Sequence, residues 1–533
     1  DRFSIIPGNA YAYWVPDAFI DNFRKGVAID SMADFTGSQN ITGNNEKYLR
    51  FHWEINSNNI NTKYWVLYAK GGDFRRYYGN LDVVDWRDSA RAFYSSNKTS
   101  NLLNKQFWFR EGITYSAVTS RGTGFRYLPP KCIFDKGGPA ILVHSHLKYL
   151  LSLLNSKIAE LYFQVLNPSI NLQVKDIKAL PVIISNEEVI SALADQITDI
   201  AQLDCDAFET SVGFQKHPLI CDAETTGSAF GFWQEQQKSA YQHAREIEDT
   251  ANRLFAQIYN LPDVNFSLED RDIPVHIADL KRDIKSLISY AVGCMFGRYS
   301  LDVDGLAYAG GEWDASKYIT YLPDQDNCIP ITDTPYFEDD IVSRFVTFVE
   351  VVYGEDTLEE NLQFIADALG NKGDTSREVI RNYFLSDFFK DHEKIYQKRP
   401  IYWLFDSGKQ NGFKALVYMH RWNADTIGNV RAEYLERMQK KLDSEQERMD
   451  AIIEGSSLAQ DITRAQKQKE KLRKQAKECA DYAQKLSHLA NYRLDIDLDD
   501  GVKVNYRKVQ TDPNGKFFEI LADSKDIMVK EKK

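Results

Sequence analysis

The sequence contains 533 residues, of which 43% are hydrophobic and 27% are charged, and its formal net charge at pH 7 is −12. This length predicts three or four structural units, each large enough to bury a core, and the composition is typical of soluble globular proteins. No uninterrupted apolar run approaches the roughly 18 residues of a membrane-spanning helix, and the N-terminal DRFSIIPGNA lacks the basic and apolar regions of a secretory signal. We therefore expect a cytoplasmic protein without membrane contact.

The first 185 residues are rich in aromatic residues, glycine and asparagine, and they contain short β-prone runs such as YWVLYA at residues 64–69. This composition predicts a mixed α/β domain at residues 1–185. In residues 147–163, LKYLLSLLNSKIAELYF, the apolar side chains recur at spacings of three and four. That spacing predicts one buried helix near the end of the domain.

Positive charge is concentrated in the middle of this domain. Residues 61–131 contain twelve Lys or Arg against five Asp or Glu, a net charge of +7, which leaves −19 for the rest of the chain. A local excess of cationic side chains in an otherwise acidic protein is typical of a phosphate-binding surface.

Within this segment, residues 107–127 have the sequence FWFREGITYSAVTSRGTGFRY, which alternates aromatic, hydroxyl, arginine and glycine residues. Its arginines can pair with phosphates or with the acceptor edge of guanine, and its hydroxyls offer shorter hydrogen-bonding groups. Two interpretations are open at this point. The stretch either reads a nucleic acid or forms a β-hairpin that carries arginines on its solvent-exposed face.

The rest of the sequence is mainly helical and divides into four further segments. We expect a helical spacer, a helical domain with a short β-hairpin, a long helical hairpin and a β-like tail, at residues 186–321, 322–425, 426–492 and 493–533. The strongest of these patterns is the second arm of the helical hairpin. Ten of its positions from 458 to 490 alternate at spacings of four and three, and all but Lys469 are Leu, Ile, Ala or Cys. Such a seam predicts two antiparallel helices, separated here by Gly455-Ser456-Ser457.

Motifs for metal binding and nucleotide chemistry are missing or incomplete. The six cysteines are far apart and form no C-x-x-C pair, so we expect free thiols and no metal site. An amino-group methyltransferase needs an Asn-Pro-Pro-aromatic loop that holds and stacks a flipped base. The nearest match, Asn167-Pro168-Ser169-Ile170, has no aromatic residue to stack, and no glycine-rich loop suited to S-adenosylmethionine follows a strand.

A metal-dependent nuclease is a weaker alternative. Pro262-Asp263 stands twenty residues before Asp283-Ile284-Lys285, a spacing similar to the acidic pattern of such enzymes. The second acid and the lysine fall on a predicted amphipathic helix around residues 277–291, whereas the chemistry requires them on a strand beside the first acid. Coincidence is therefore favoured.

Several longer stretches resemble one known family. They include GSQNITGNNEKYLRFHWE, YAKGGDFRRYYGNLDVVDW, FWFREGITYSAVTSRGTGFRYLP, NPSINLQVKDIKALPV, SYAVGCMFGRYSLD, YFEDDIVSRF, RPIYWLFDSGKQNGFKALVYMHR and DLDDGVKVNY. These stretches look like the target-recognition region and the C-terminal segments of the PglX family, the adenine-specific DNA methyltransferases of BREX phage-defence systems. The resemblance extends over nearly the whole chain.

The resemblance implies a bacterial enzyme that transfers a methyl group from S-adenosylmethionine to the N6 amino group of adenine. Its recognition half is similar to those of type IIG restriction-modification enzymes and type I specificity subunits. For this chain it implies recognition of specific double-stranded DNA sequences, with the N-terminal methyltransferase domain of the same protein and other BREX subunits as partners. Because the sequence begins after the Asn-Pro-Pro-aromatic loop, we expect no catalytic residue and no cofactor site in it.

Carried over to this sequence, the resemblance places DNA contacts on Lys70, Arg75, Arg76, Arg110, Ser116, Thr119, Ser120, Arg121 and Arg126. We expect Lys70, Arg75 and Arg76 to bind phosphates, and Ser120, Arg121 and Arg126 to read bases. The alternative for each arginine is an ordinary exposed surface residue. A second hypothesis for the whole chain is an assembly scaffold, in which the helical hairpin and the acidic connector at residues 322–340 dock other subunits.

Overall fold

Small sheets and many helices together form the fold, as the sequence predicts. A computed structural model describes residues 6–7, 14–36, 39–72, 74–79, 81–117, 124–167 and 172–528. It is 51% helical. The chain divides into two units, of which unit 1 comprises residues 1–52, 59–214 and 232–278, and unit 2 comprises residues 53–58, 215–231 and 279–533.

The strands of unit 1 are short and form sheets of two and four strands. They are β1 (Val27–Ala28), β2 (Ala33–Phe35), β3 (Leu49–Arg50), β4 (Trp65–Ala69), β5 (Asp82–Asp85), β6 (Gly112–Tyr115), β7 (Phe125–Leu128), β8 (Cys132–Phe134), β9 (Ala140–Val143) and β10 (Pro181–Val182). The sheet orders are β1-β10, β2-β9-β6-β7 and β3-β5-β4-β8. Strands β6 and β7 pair in antiparallel register with Thr114 opposite Arg126, so the arginine-rich stretch does contain a β-hairpin.

The helices of the same part of the chain are α1 (Asp17–Lys25), α2 (Asn45–Tyr48), α3 (Asp88–Ser96), α4 (Leu147–Asn155), α5 (Lys157–Leu166), α6 (Val174–Lys178), α7 (Glu187–Asp206) and α8 (Thr226–Ile258). The single helix expected at residues 147–163 is thus two helices. The break is at Ser156, which has an extended backbone and accepts a hydrogen bond from the Ala159 amide through its hydroxyl at 3.2 Å. A serine N-cap ends one helix and starts the next without interrupting the apolar spacing.

The core of unit 1 lies between the β2-β9-β6-β7 sheet and the helices. Phe125 of β7 and Ile141 of β9 are fully buried in one cluster with Leu151 and Tyr162 of α4 and α5. Burying aromatic and aliphatic side chains of this size contributes roughly 1.5–3 kcal/mol for each residue. This packing fixes the position of β7 and therefore of the arginine that it carries.

Unit 2 is largely helical and has one described sheet of three strands. Its elements are α9 (Leu280–Phe296), β11 (Ile329–Pro330), α10 (Ile341–Tyr353), α11 (Leu358–Leu369), α12 (Ser376–Ser386), α13 (Phe388–Ile395), β12 (Tyr402–Asp406), β13 (Lys414–Tyr418), α14 (Thr426–Asn429), α15 (Glu436–Gly455), α16 (Ala459–Ala490), α17 (Gly501–Lys508) and α18 (Ser524–Ile527). The strand order is β11-β13-β12. The antiparallel β12 and β13 form a β-hairpin, as expected for the segment at residues 322–425.

Helices α15 and α16 pack against each other as the expected helical hairpin. Lys469, the one charged residue of the apolar seam, forms an ion pair with Asp450 of the opposite arm. Helix α16 contacts the β12–β13 turn, because the Glu478 carboxylate accepts hydrogen bonds from the amides of Gln410 and Gly412 at 2.8 and 3.0 Å. An assembly role for this hairpin stays a prediction.

The C-terminal region differs from the expected β-like tail. Residues 501–508 form helix α17, and the β pairing that the structure describes after residue 492 is limited to isolated bridges such as Thr511 with Phe517. The alternation in GVKVNY fits a strand, but Val502 and Tyr506 are also four residues apart and both are fully buried on one face of α17. Burial supports the helical period, because a strand would place Val504 on the same face as these two side chains, whereas Val504 is 40% exposed.

All six cysteines are free thiols, and Cys221 alone among them is exposed. None of the helices in the described part of the chain has both the length and the apolar character that a membrane span requires. Among the described residues, no group of three or more His, Cys, Asp or Glu side chains is arranged to hold a metal ion.

Candidate nucleic-acid interface

Residues 74–79 run beside β7 and form the frame of the candidate interface. The Tyr77 amide donates to the Phe125 carbonyl at 2.8 Å, and the Tyr127 amide donates to the Tyr77 carbonyl at the same distance. Gly124 allows this approach, since a Cβ at that position would lie 2.2 Å from the Arg75 carbonyl oxygen. The KGGDFRRYYGN stretch and the hairpin strand are therefore brought together, as a shared recognition surface requires.

Arg76 lies inside the protein and not on its surface. Its guanidinium forms an ion pair with Glu248 of α8 at 3.1 Å and donates through Nε to the Asn155 side chain at 3.3 Å. Burial alone would lower the pKa of Arg76, but the charges of Glu248 and Asp272 oppose this effect and the pKa is raised overall. A phosphate would have to displace these partners, so the structure gives Arg76 a structural role in place of the expected DNA contact.

The anchor of Arg76 extends to a second cation. Asp272 lies 3.7 Å from the Arg76 guanidinium and 2.9 Å from the Lys157 ammonium. Burial raises the pKa of Asp272, but Arg76 and Lys157 outweigh that effect and lower it overall. The network ties residues 74–79 to α5, to α8 and to the segment before residue 273.

Arg126 is also buried, with 6% of its surface exposed. Its Nη2 lies 3.4 Å from the Ser116 hydroxyl, and its Nε is fully buried without a hydrogen-bond partner. Among the described residues no carboxylate lies within ion-pair distance of it. Burial and the charge of Arg75 lower the pKa of Arg126 to about 10.

Arg75 is half-buried beside this group. Its Nη1 lies 3.5 Å from Nε2 of His276, whose backbone amide donates to the Asp204 carboxylate at 2.8 Å. The Ser116 hydroxyl donates to the Gly72 carbonyl and accepts from the Gly72 amide, each at 3.2 Å. The structure thus gathers three of the expected residues, Arg75, Ser116 and Arg126, at one place.

The other expected contacts lie elsewhere or outside the described residues. Arg110 pairs with Asp34 of β2, at the opposite edge of the sheet from β7, with 2.8 Å between Nη1 and Oδ2. Lys70 is half-buried after β4, where its charge opposes the rise that burial causes in the pKa of Asp135. Thr119, Ser120 and Arg121 lie outside the described residues, so their expected roles stay predictions.

Asp34 forms an ion pair with Arg110 that a DNA phosphate would have to replace. Hydrogen bonds from Arg110 and His144 hold the pKa of Asp34 below its usual range. We expect Asp34→Asn to increase the affinity of the chain for duplex DNA by about two- to fivefold, because exposed ion pairs contribute little and a repulsive charge is removed. Fluorescence anisotropy with a labelled duplex measures the effect.

The control for this change is Asp21→Asn, which removes a carboxylate of similar exposure that pairs with Arg24 of α1 at 2.9 Å. If the change acts only through the net charge of the chain, both variants gain the same affinity for the duplex. Equal affinities for Asp34→Asn and the unmodified chain contradict a role of Arg110 in DNA binding.

Several described residues of the weaker motifs have partners within the fold. Of Asn167-Pro168-Ser169-Ile170, only Asn167 is described, and its side-chain amide donates to Asp176 at 2.6 Å. Asp283 lies in the first turn of α9, on a helix as the spacing predicts, and forms an ion pair with Arg282 at 2.6 Å. The neighbouring Lys285 pairs with Asp391 at 2.6 Å. These contacts stabilise the regions of the fold in which the side chains lie.

Sequence reasoning missed Asn155, Glu248 and Asp272. They stand 79, 172 and 196 residues from Arg76 along the chain. The charges of Glu248 and Asp272 are common ones on helical or turn segments, and nothing near them marks a partner. The available signal is the Arg-Arg pair itself, since two adjacent cations in an extended segment rarely both face solvent.

Comparison with known proteins finds two relatives that align with almost the whole chain. No protein-family model matches the chain. It is 37% identical, over 545 aligned positions that cover 96% of this chain and 45% of the relative, to the adenine-specific methyltransferase PglX of Lacticaseibacillus casei (strain Zhang). It is 34% identical, over 575 positions that cover 98% of this chain and 46% of the relative, to the adenine-specific methyltransferase BrxX of Escherichia coli O9:H4 (strain HS). The chain therefore spans less than half the length of these curated relatives.

Proposed function

Because this chain is a PglX-like protein over almost its whole length, we propose that it recognises a specific double-stranded DNA sequence for a BREX-type adenine-specific methyltransferase. The observation that carries the proposal is the proximity of two arginines, Arg75 and Arg126, which both pack near Gly79 beside β7 in the segment of net charge +7. Among the described residues neither arginine forms an ion pair with a carboxylate. Cationic groups without counter-charges are available to the phosphates of a duplex.

In this proposal the bases are read by Thr119, Ser120 and Arg121, which shortly precede Arg126 in the sequence. Hydroxyl and guanidinium groups supply the donors that distinguish base pairs in the major groove, whereas contacts to the DNA backbone fix only the position of the protein.

The methyl donor implied by this function is S-adenosylmethionine. The residues of this chain do not fit a site for it or for the flipped adenine, because Ile170 offers no ring for stacking and the Asn167 amide is taken up by Asp176. We infer that methyl transfer belongs to the part of the relatives that this chain does not span. The methyltransferase domain of the same protein and other BREX subunits are the partners we propose.

The test is discrimination between two duplexes by the 533-residue chain. Methylation mapping in cells that carry the complete enzyme gives the target site, and a labelled duplex with that site is compared with one in which a single base pair beside the adenine is changed. We expect the changed duplex to bind about tenfold more weakly or worse, since one wrong base pair costs roughly 1–3 kcal/mol.

An Arg24→Gln variant is the control for this titration. It removes one exposed cation of the same unit on α1, far in sequence from the hairpin, and should retain the discrimination. Equal affinity for both duplexes, or no binding to either, would contradict the proposed function.

A further inference from the structure

A buried arginine to which the described residues offer no counter-charge is the starting observation. The Nε of Arg126 is enclosed and has no hydrogen-bond partner among these residues, and the Ser116 hydroxyl at 3.4 Å is a long contact. Removing a charged group from water is unfavourable unless hydrogen bonds or an opposite charge compensate for it. Such a group in a native protein requires an explanation, and an ion or ligand that completes its surroundings is one.

The groups packed around Arg126 do not compensate for its charge. Arg75 repels it, and both arginines lie against Gly79, where a Cβ would stand 2.9 Å from Cδ of Arg126 and 3.7 Å from Cβ of Arg75. The carboxylate that approaches the pair is Asp204, but it is hydrogen-bonded to His276, which stands between it and Arg75. Arg76 contributes no free charge, because Glu248 and Asp272 neutralise it.

From this arrangement we propose that Arg75, Arg126 and Ser116 form one anion site that binds a single phosphodiester oxyanion of the DNA backbone. The inference rests on the proposed function, and it assigns Arg126 to phosphate binding where the sequence favours base reading. Two neighbouring guanidinium groups supply several donors, which suits the oxygens of a tetrahedral phosphate. The Ser116 hydroxyl, which donates to the Gly72 carbonyl, accepts from Arg126 and helps to position it.

Burial decides between a phosphate and a base edge. A side chain that reads bases must extend from the protein surface into a groove several ångströms deep. Arg126 is only 6% exposed and its Cδ packs against Gly79, so the side chain cannot extend in that way. A phosphate projects outward from the duplex and can reach the ends of the two guanidinium groups.

Titrations of the chain with matched and random duplexes over a range of KCl concentrations test the site. We expect Arg126→Gln and Arg75→Gln each to bind about tenfold more weakly on both duplexes, and each to lower the slope of log affinity against log salt by about one. Arg24→Gln is the charge-matched control and should retain the slope. A loss confined to the matched duplex would show that Arg126 reads a base and would overturn the site, as would an unchanged slope in both variants.

A second measurement uses inorganic phosphate and does not depend on DNA. Phosphate should raise the melting temperature of the unmodified chain more than KCl does at equal ionic strength, and Arg126→Gln should abolish the difference. Failure of the unmodified chain to bind any duplex would remove the proposed function, while the phosphate result would still decide the anion site. Duplex binding that is unaffected by the two substitutions would remove the anion site and leave the function in place.

Folding of the buried variant is checked by circular dichroism. If Arg126→Gln does not fold, Arg75→Gln decides the outcome in both measurements, because Arg75 is half-buried and forms no ion pair with a described residue. An Arg75→Gln variant with the salt slope and the phosphate response of the unmodified chain would overturn the inference.

Discussion

Replacing Arg76 with methionine is expected to lower the free energy of unfolding by about 3–5 kcal/mol, the cost of leaving a buried charge without its partner. The variant keeps the volume of the side chain but leaves Glu248, which is 1% exposed, without a cation, and it removes the donor to the Asn155 side chain. Urea-induced unfolding measures the loss. Hydrogen exchange of residues 74–79 should increase with it, because the segment loses its anchor on α8.

Two controls separate the charge effect from the packing effect. Arg75→Met, at the neighbouring position, should cost much less, since Arg75 is half-buried and its described hydrogen bond is to a histidine. Combining Arg76→Met with Glu248→Leu should restore part of the stability, because no buried carboxylate is then left alone. A loss below about 1 kcal/mol for Arg76→Met is the size expected for a surface ion pair and would contradict the buried network.

The stability loss in Arg76→Met should also depend on pH. Burial raises the pKa of Glu248 and Arg76 opposes that rise, so the substitution shifts this pKa further upward. A carboxyl whose pKa is higher in the folded state than in the unfolded state binds a proton more readily when folded, and its stability contribution falls as pH rises. The deficit of the variant should therefore be largest at neutral pH and should shrink as acid protonates Glu248.

The contrast between Arg75 and Arg76 shows how far the sequence determines the site. The sequence identifies the stretch, its charge and its family resemblance, and the structure brings this stretch beside the hairpin strand. The sequence alone cannot show that the two arginines have different surroundings. Those surroundings depend on Glu248 and Asp272, which tertiary folding brings from distant segments. A charge count likewise includes Arg76 and Arg126, which are buried, and Arg87 and Arg110, which pair with Asp85 and Asp34.

The sequence predicts local elements best where a single hydrophobic period dominates the pattern. The seam of α16 specifies a helix, and even its exception, Lys469, has a partner in Asp450. Where a pattern fits both the helical and the strand period, burial in the folded chain determines which one forms. Val502 and Tyr506 are an example, since they lie on α17 and not on a strand. The break at Ser156 was hidden because a serine cap leaves the apolar spacing unchanged.

Gly124→Ala is expected to disrupt the interface directly. The new Cβ would lie 2.2 Å from the Arg75 carbonyl oxygen, and this backbone cannot retreat easily, because Tyr77 is hydrogen-bonded on both sides to β7. We expect a loss of about 1–3 kcal/mol in stability, the usual cost of overpacking, with faster hydrogen exchange at residues 74–79. Gly72→Ala is the matched control for unfolding and exchange, since its Cβ would meet no atom within 4 Å. Because the clash separates Arg75 from Arg126, duplex affinity should fall with the exchange protection, and a variant that loses protection but keeps its affinity would place the DNA contacts outside this segment.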